Sequence, residues 1–194
     1  MKFRYETALA SAPGRPCQDC VQVKDVGDGL VAALADGVGG MSGGEEAARW
    51  VVGQWLNEPG SAVDALMLYD DRLSRQRHGG QSTAILLRVG PAGIEGASVG
   101  DSCAWLRAES GEWLELTEHQ RRKPYLGSAE AVPVGFTRIL PTKGRLLVAS
   151  DGLWRHANMD KVFALTSANA MLELPRLPLS KEFPDDVSIL LVDW

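Results

Sequence analysis

Cysteine is scarce, with three in 194 residues. So small and odd a number builds no disulfide framework. The single C-x-x-C, Cys17 to Cys20 in RPCQDC, lacks a second pair to complete a four-ligand zinc site. Long apolar runs are missing too. No stretch approaches the ~18 apolar residues of a membrane span. The first residues, MKFRYETALA, scatter charge where a signal peptide would carry an apolar segment. A cytoplasmic protein with no membrane partner is expected. There is no basic excess: 20 Lys and Arg against 25 Asp and Glu leave a net charge of −5 and a pI near 5.2. No general affinity for nucleic acid follows from such a balance. Internal repeats, low-complexity segments and long linkers are absent, so residues 1–194 are read as one domain and a monomer.

What is present suffices for a core, since 45% of residues are hydrophobic. Apolar runs of strand length recur at 3–9, 20–26, 29–35, 82–89, 94–100, 102–107, 145–150 and 187–192. Several are apolar on both faces, which is how strands covered on both sides read. DVGDG at 25–29 and GPAG at 90–93 are tight-turn sequences that suit hairpins. One helix is predicted from the capping-box spacing of Ser42 and Glu45 to Pro59, and a second over 61–77, stopped by HGG at 78–80. A broken helical region follows Gly152 as far as Leu174. Strands and helices in segregated runs imply an α+β architecture with antiparallel sheet.

Aspartates punctuate this pattern. Asp36, Asp101 and Asp151 each follow an apolar run, while Asp19 and Asp185 stand just before one. A lone Asp at such a place is ordinarily a turn or cap residue. Five of them at strand ends point instead to a shared site. Clustered carboxylates repel one another, and a hard divalent cation with oxygen ligands relieves that repulsion. The segment DGVGGMSGG after Asp36 fits neither nucleotide fingerprint, because Ser42 replaces the last glycine of G-x-G-x-x-G and no G-K-[ST] occurs. Its glycines would instead let the Gly37 carbonyl approach a metal.

Six blocks in order, CQD at 17–19, ADGVGG at 35–40, GGQSTAILL at 79–87, VGDS at 99–102, VASDGLW at 148–154 and DDVSILLV at 185–192, resemble the metal-dependent PPM or PP2C-type serine/threonine protein phosphatases. The resemblance implies an αββα sandwich of two antiparallel sheets flanked by helices. It implies two Mn²⁺ or Mg²⁺ ions, with Asp36 bridging them, Gly37 giving its carbonyl to the first, and Asp151 and Asp185 ligating the second. Asp19 would hold metal-bound water, and Asp101 with Asp151 would contribute to a third ion in bacterial members. Hydrolysis of phosphoserine and phosphothreonine by a metal-bridging hydroxide would follow, with a phosphorylated protein, a Ser/Thr kinase or its target, as partner.

The chain departs from that family in several places. Gly14 stands where a phosphate-binding arginine is common, and Arg15 comes one residue late; Arg15 is taken as the phosphate ligand. Cys103 replaces an arginine after GDS, so an ion pair is expected to be missing. Val38 fills a position where some members have a histidine, leaving His119 and His156 as substitute acids against an ordinary surface role. The segment between Leu116 and Arg145, a long flap in many members, is read here as a compact loop whose Arg121, Arg122 and Lys123 either steer a phosphorylated partner or are simply solvated. The tryptophans are read as packing. Two other readings stand beside the phosphatase: a non-catalytic module of the same fold that docks a kinase or other partner, and hydrolysis of a small phosphomonoester. A Cys17–Cys20 redox switch acting on Asp19 is a lesser alternative.

Overall fold

In the computed structural model, which describes residues 1–38, 43–76, 80–174 and 182–194, the apolar runs become strands of two antiparallel sheets. The first sheet has the order β1 (Arg4–Ala10), β10 (Val187–Asp193), β9 (Arg145–Ala149), β6 (Cys103–Arg107), β7 (Trp113–Glu115). The second has β2 (Asp19–Asp25), β3 (Leu30–Asp36), β4 (Ala84–Gly90), β5 (Gly93–Val99), β8 (Val134–Arg138). Helices α1 (Gly44–Trp55) and α2 (Ala62–Ser74) cover the second sheet. Helices α3 (Asp151–Trp154), α4 (Met159–Ala164) and α5 (Ala168–Leu172) cover the first. The expected αββα sandwich is the observed one, and no helix among the described residues is long and apolar enough to cross a membrane.

Strand alternation sorts the side chains into three apolar layers. Leu30, Ala32 and Leu34 of β3 meet Leu146, Val148, Leu190 and Val192 between the sheets. The intervening Val31, Ala33 and Ala35 face α1 and α2, whose Trp55, Leu66 and Tyr69 are fully enclosed. On the other side, Leu147, Ala149, Ile189 and Leu191 pack on Leu153, Val162 and Met171. Both faces of the central strands are therefore buried, which is why they read as continuous apolar runs.

Tight turns set the register. In the β2–β3 hairpin, Val26 N–H donates to the Gly29 carbonyl at 3.0 Å and Gly27 sits at φ 92°. Asp25 then lies opposite Leu30, and Asp19 opposite Asp36 at the far end. The 90–93 turn similarly joins β4 to β5, with Gly90 opposite Gly93.

Three details differ from the sequence reading. The N-cap of α1 is Gly43, in the left-handed region and without a side-chain cap; Ser42, like residues 39–41, lies outside the described residues. Helix α2 begins after Ser61, which accepts from Asp64 N–H, and ends at Ser74 rather than 77; residues 77–79 are also outside the description. The 117–144 segment is not wholly loop, because it contributes β8 along the edge of β5. Only Phe136 of that strand is buried, so its apolar signal is weak.

The rest of the segment is held by Asp70, a buried acid on α2. Its carboxylate accepts from the backbone N–H groups of Gly127 at 2.6 Å, Ala131 at 3.0 Å and Ala129 at 3.2 Å. Ala129 adopts φ 64° there, a conformation that an alanine keeps only under such constraint. Replacing Asp70 with Ala orphans three amides. The expected loss is roughly 2–4 kcal/mol, since an unpaired buried group costs about 1–3 kcal/mol and water will satisfy part of this set; urea unfolding measures it.

Candidate functional site

The site forms where the apolar layer between the sheets ends. Continuing each strand inward-face by two residues replaces an aliphatic side chain with a small polar one. Val21 gives way to Asp19, Leu34 to Asp36, Ile85 to Thr83, Ala104 to Ser102, Val148 to Ser150 and Leu190 to Ser188. Antiparallel pairing brings all six to one end of the sandwich. The four hydroxyl residues are buried and make a polar floor. Thr83 and Ser102 share a hydrogen bond of 2.7 Å, and Ser150 Oγ accepts from Ser188 N–H at 2.9 Å. The sequence reading missed this floor, although the same alternation that marks the core would have revealed it.

Asp36 is fixed through its backbone. Its N–H donates to Thr83 Oγ1 at 3.1 Å, while its carbonyl accepts from Thr83 N–H at 2.8 Å and Ser82 Oγ at 2.9 Å. Gly37 follows, wedged so closely against Gly44 at the start of α1 that a Cβ would meet its backbone at 2.5 Å. Asp151 opens α3 just beyond Ser150. Its neighbour Gly152 lies directly against the Asp186 carbonyl, leaving no room for a side chain.

The adjacent acids 185 and 186 divide their work. Asp186 is 3% exposed and ties down the 12–18 loop, accepting from Ala12 N–H at 2.6 Å and Gln18 N–H at 2.8 Å. The sequence reading assigned it no such task. Asp185 stays half-exposed and binds Arg15 Nη2 at 2.5 Å. The one-residue displacement of Arg15 therefore still brings its guanidinium to the edge of the acid group. Asp101 stands at the other edge, paired with Arg122 and Arg155. Cys103 makes no ion pair, and these two arginines supply the charge opposite Asp101 instead.

Electrostatically the cluster is unrelieved at its centre. Both oxygens of Asp19 are buried without a hydrogen-bond partner, as is Ser188 Oγ. Burial pushes Asp19 up to about 6; the nearby Ser150 and Ser188 hydroxyls oppose the rise without completing a bond. Burial first, then the charges of Asp19 and Asp151, raise Asp36 well above the usual carboxylate range. Asp151 is raised by burial and by Asp101, against the pull of Arg155. An all-oxygen donor set with orphaned lone pairs suits a hard divalent cation. Asp19 fits one on these grounds, and Asp36 lies opposite it on the neighbouring strand. Among the described residues, however, no group of three or more acids, histidines or cysteines is arranged so that it could hold a metal ion.

The remaining candidates differ in place, and Cys17 lies beside the acids, its Sγ 4.0 Å from the Asp19 carbonyl oxygen. His119 is exposed, with Nε2 3.5 Å from Glu118. Burial raises Cys17 to about 11 and raises Cys20 as well, so neither is a ready thiolate. Cys20 packs in the α1 layer, on the opposite face of β2 from Asp19. The tryptophans pack as expected: Trp55 is enclosed under Arg88, and Trp113 stacks on Phe163. A hollow of about 610 Å³, lined by Lys24, Leu56, Arg88 and Ile94 among others, contains none of the candidate acids.

No protein-family model and no curated protein matches the chain. Solved structures do match. The serine/threonine phosphatase Stp1 from Staphylococcus aureus superposes with a TM-score of 0.78 at 16% identity, over 100% of this chain and 96% of its own. RsbX in complex with magnesium gives 0.77 at 17% identity, over 98% and 94%. The catalytic domain of the serine threonine protein phosphatase PstP, in complex with two manganese ions, gives 0.75 at 21% identity, over 98% and 97%. The chain has the fold of the bacterial PP2C-type phosphatases, from end to end.

The raised carboxylates set a pH dependence for the metal-free protein. A group whose folded pKa exceeds its unfolded value, about 3.9 for Asp, binds more protons when folded and so loses its stabilising effect as pH rises. For Asp19 that contribution is full below about pH 4 and lost as pH passes about 6. Thermal unfolding in chelator is expected to show higher Tm at pH 5 than at pH 7, with a smaller difference in Asp19→Asn.

Proposed function

We propose that the protein is a Mn²⁺- or Mg²⁺-dependent phosphatase of phosphoserine and phosphothreonine in proteins, acting on a Ser/Thr kinase or its targets. The observation that carries this reading is the buried carboxylate of Asp19, with both oxygens unpartnered, beside Asp36 at the end of a PP2C-type sandwich. Burying such charge costs several kcal/mol or more unless a counter-charge is supplied. Asp36, the Gly37 carbonyl, Asp151 and Asp185 would hold two divalent ions, and Asp19 would act one shell further out. The magnesium of the RsbX structure and the two manganese ions of the PstP structure support that choice. Bound there, the ions would activate water for attack on phosphorus and offset charge on the phosphoryl oxygens.

The chain's own groups have separable tasks. Arg15, whose Nη2 binds Asp185 at 2.5 Å and whose Nη1 donates to Gln18 Oε1 at 3.2 Å, would serve as the phosphate ligand by exchanging these partners for phosphoryl oxygens. Asp186 keeps the loop carrying Arg15 against the start of β10 through two backbone bonds. The hydroxyl floor of Thr83, Ser102, Ser150 and Ser188 closes the site from the inter-sheet core. No serine or cysteine nucleophile is required.

Hydrolysis of a phosphothreonine peptide is expected with Mn²⁺ and to vanish in EDTA. Asp151→Asn should abolish it, and activity untouched by either change rejects the reading. Arg15→Ala is expected to lower kcat/KM roughly ten- to hundredfold, the worth of a charged hydrogen bond of about 1.5–3 kcal/mol. Asp19→Asn should cost roughly 10–100-fold through weakened metal affinity. A non-catalytic docking module would instead bind no Mn²⁺ in calorimetry, and a small-molecule phosphatase would prefer a phosphomonoester to the peptide.

A further inference from the structure

Among the described residues, Asp101 is the one acid of the group whose carboxylate pairs with two arginines. Its side chain is only 10% exposed, and its Oδ2 receives two guanidinium groups. Arg122 Nε lies 2.9 Å away and Arg155 Nη2 2.7 Å away. The backbone of Asp101 is held as well, since its carbonyl accepts from Trp154 Nε1 at 3.0 Å. Arg155 reaches further still. Its Nε stands 3.2 Å from Asp151 Oδ2, and its guanidinium lies 4.9 Å from the Trp154 ring centroid.

The resulting row is Arg122, Asp101, Arg155, Asp151, with charges alternating in sign. Its members come from three separate parts of the chain. Arg122 belongs to the segment after Thr117, Asp101 to the β5–β6 turn, and Arg155 to the end of α3. A divalent ion on Asp101 would have to displace two arginines from a nearly buried carboxylate and leave both without that partner. Arginine is the residue suited to bridging here, because its planar fork can serve Asp101 and Asp151 from different nitrogens, which a lysine cannot do.

We propose that Asp101 is a latch and not a metal ligand: it fastens the 117–126 segment to α3, and the guanidinium groups of Arg122 and Arg155 engage the carboxylate that the resemblance would give to a third ion. Arg155 is thereby a positioning residue, steadying the Asp151 carboxylate from outside the site. The latch itself needs no metal; only the ion count rests on the phosphatase reading. The compact segment is then secured by Asp101 through Arg122, by the backbone bridge of Leu126 to Ser82, and by Asp70 through the 127–131 backbone. Arg122 is not a free basic residue available for steering.

Two measurements on the full chain test this. Amide hydrogen exchange, without metal, is expected to quicken roughly tenfold over 118–126 in Asp101→Asn and in Arg122→Ala, while β10 keeps its protection. Arg122 is 59% exposed, so its variant probes the latch even if Asp101→Asn does not fold. Calorimetric titration with Mn²⁺ is expected to saturate at two ions per chain, in the wild type and in Arg122→Ala. Unchanged exchange in Arg122→Ala overturns the proposal. So do three ions in the wild type that fall to two in Asp101→Asn. If no ion binds while exchange still responds, the latch stands and the metal-dependent function falls.

Discussion

Negative charge confined at the end of a closed apolar layer is the constraint around which this molecule is arranged. Asp19 and Asp36 project from paired positions on neighbouring strands into the space between the sheets, where water has little access. Repulsion at such a place is expensive, because the surroundings screen it poorly. Each nearby feature lessens it in a different way. The hydroxyl floor offers dipoles, Arg15 meets Asp185 at one rim, and Arg155 lies between Asp151 and Asp101 at the other. Among the described residues, Asp19 and Asp36 at the centre are the acids of the group with no ion-pair partner.

The frame that imposes this arrangement was largely legible in the chain. Strands β3, β4, β9 and β10 announce themselves because both faces are buried, and an apolar run then has sharp ends. The acids were visible for the same reason, each interrupting such a run. Strands β7 and β8 were not, being short edge strands with little enclosed surface. Nor does sequence adjacency reveal which of Asp185 and Asp186 is buried; that depends on the Ala12 and Gln18 amides, more than 160 positions away along the chain. The pairing of Asp101 with Arg122 and Arg155 escaped notice for the related reason that it joins three elements with no shared periodicity.

The 117–144 segment acquires a different character once its anchors are known. Pro and Gly content suggested a compact loop, and composition says nothing about where such a loop is tied. Asp70 gathers three of its amides from beneath, and β8 carries its far end along the sheet edge. Brevity here goes with fixation. A rim built in this way is preformed, so binding to it is spared the ordering entropy that a mobile segment would lose.

The β2–β3 turn carries a consequence that its position disguises. Asp19 and Asp36 face each other because Val26–Gly29 closes the hairpin in one register, roughly 20 Å away at ~3.3 Å per strand residue. A slip of one residue reverses the facing of an entire strand. Chain length in that remote turn is thus a ruler for the acid pair. One inserted or deleted residue there can turn an aspartate out of the site, and so silence it, without altering any residue that touches it.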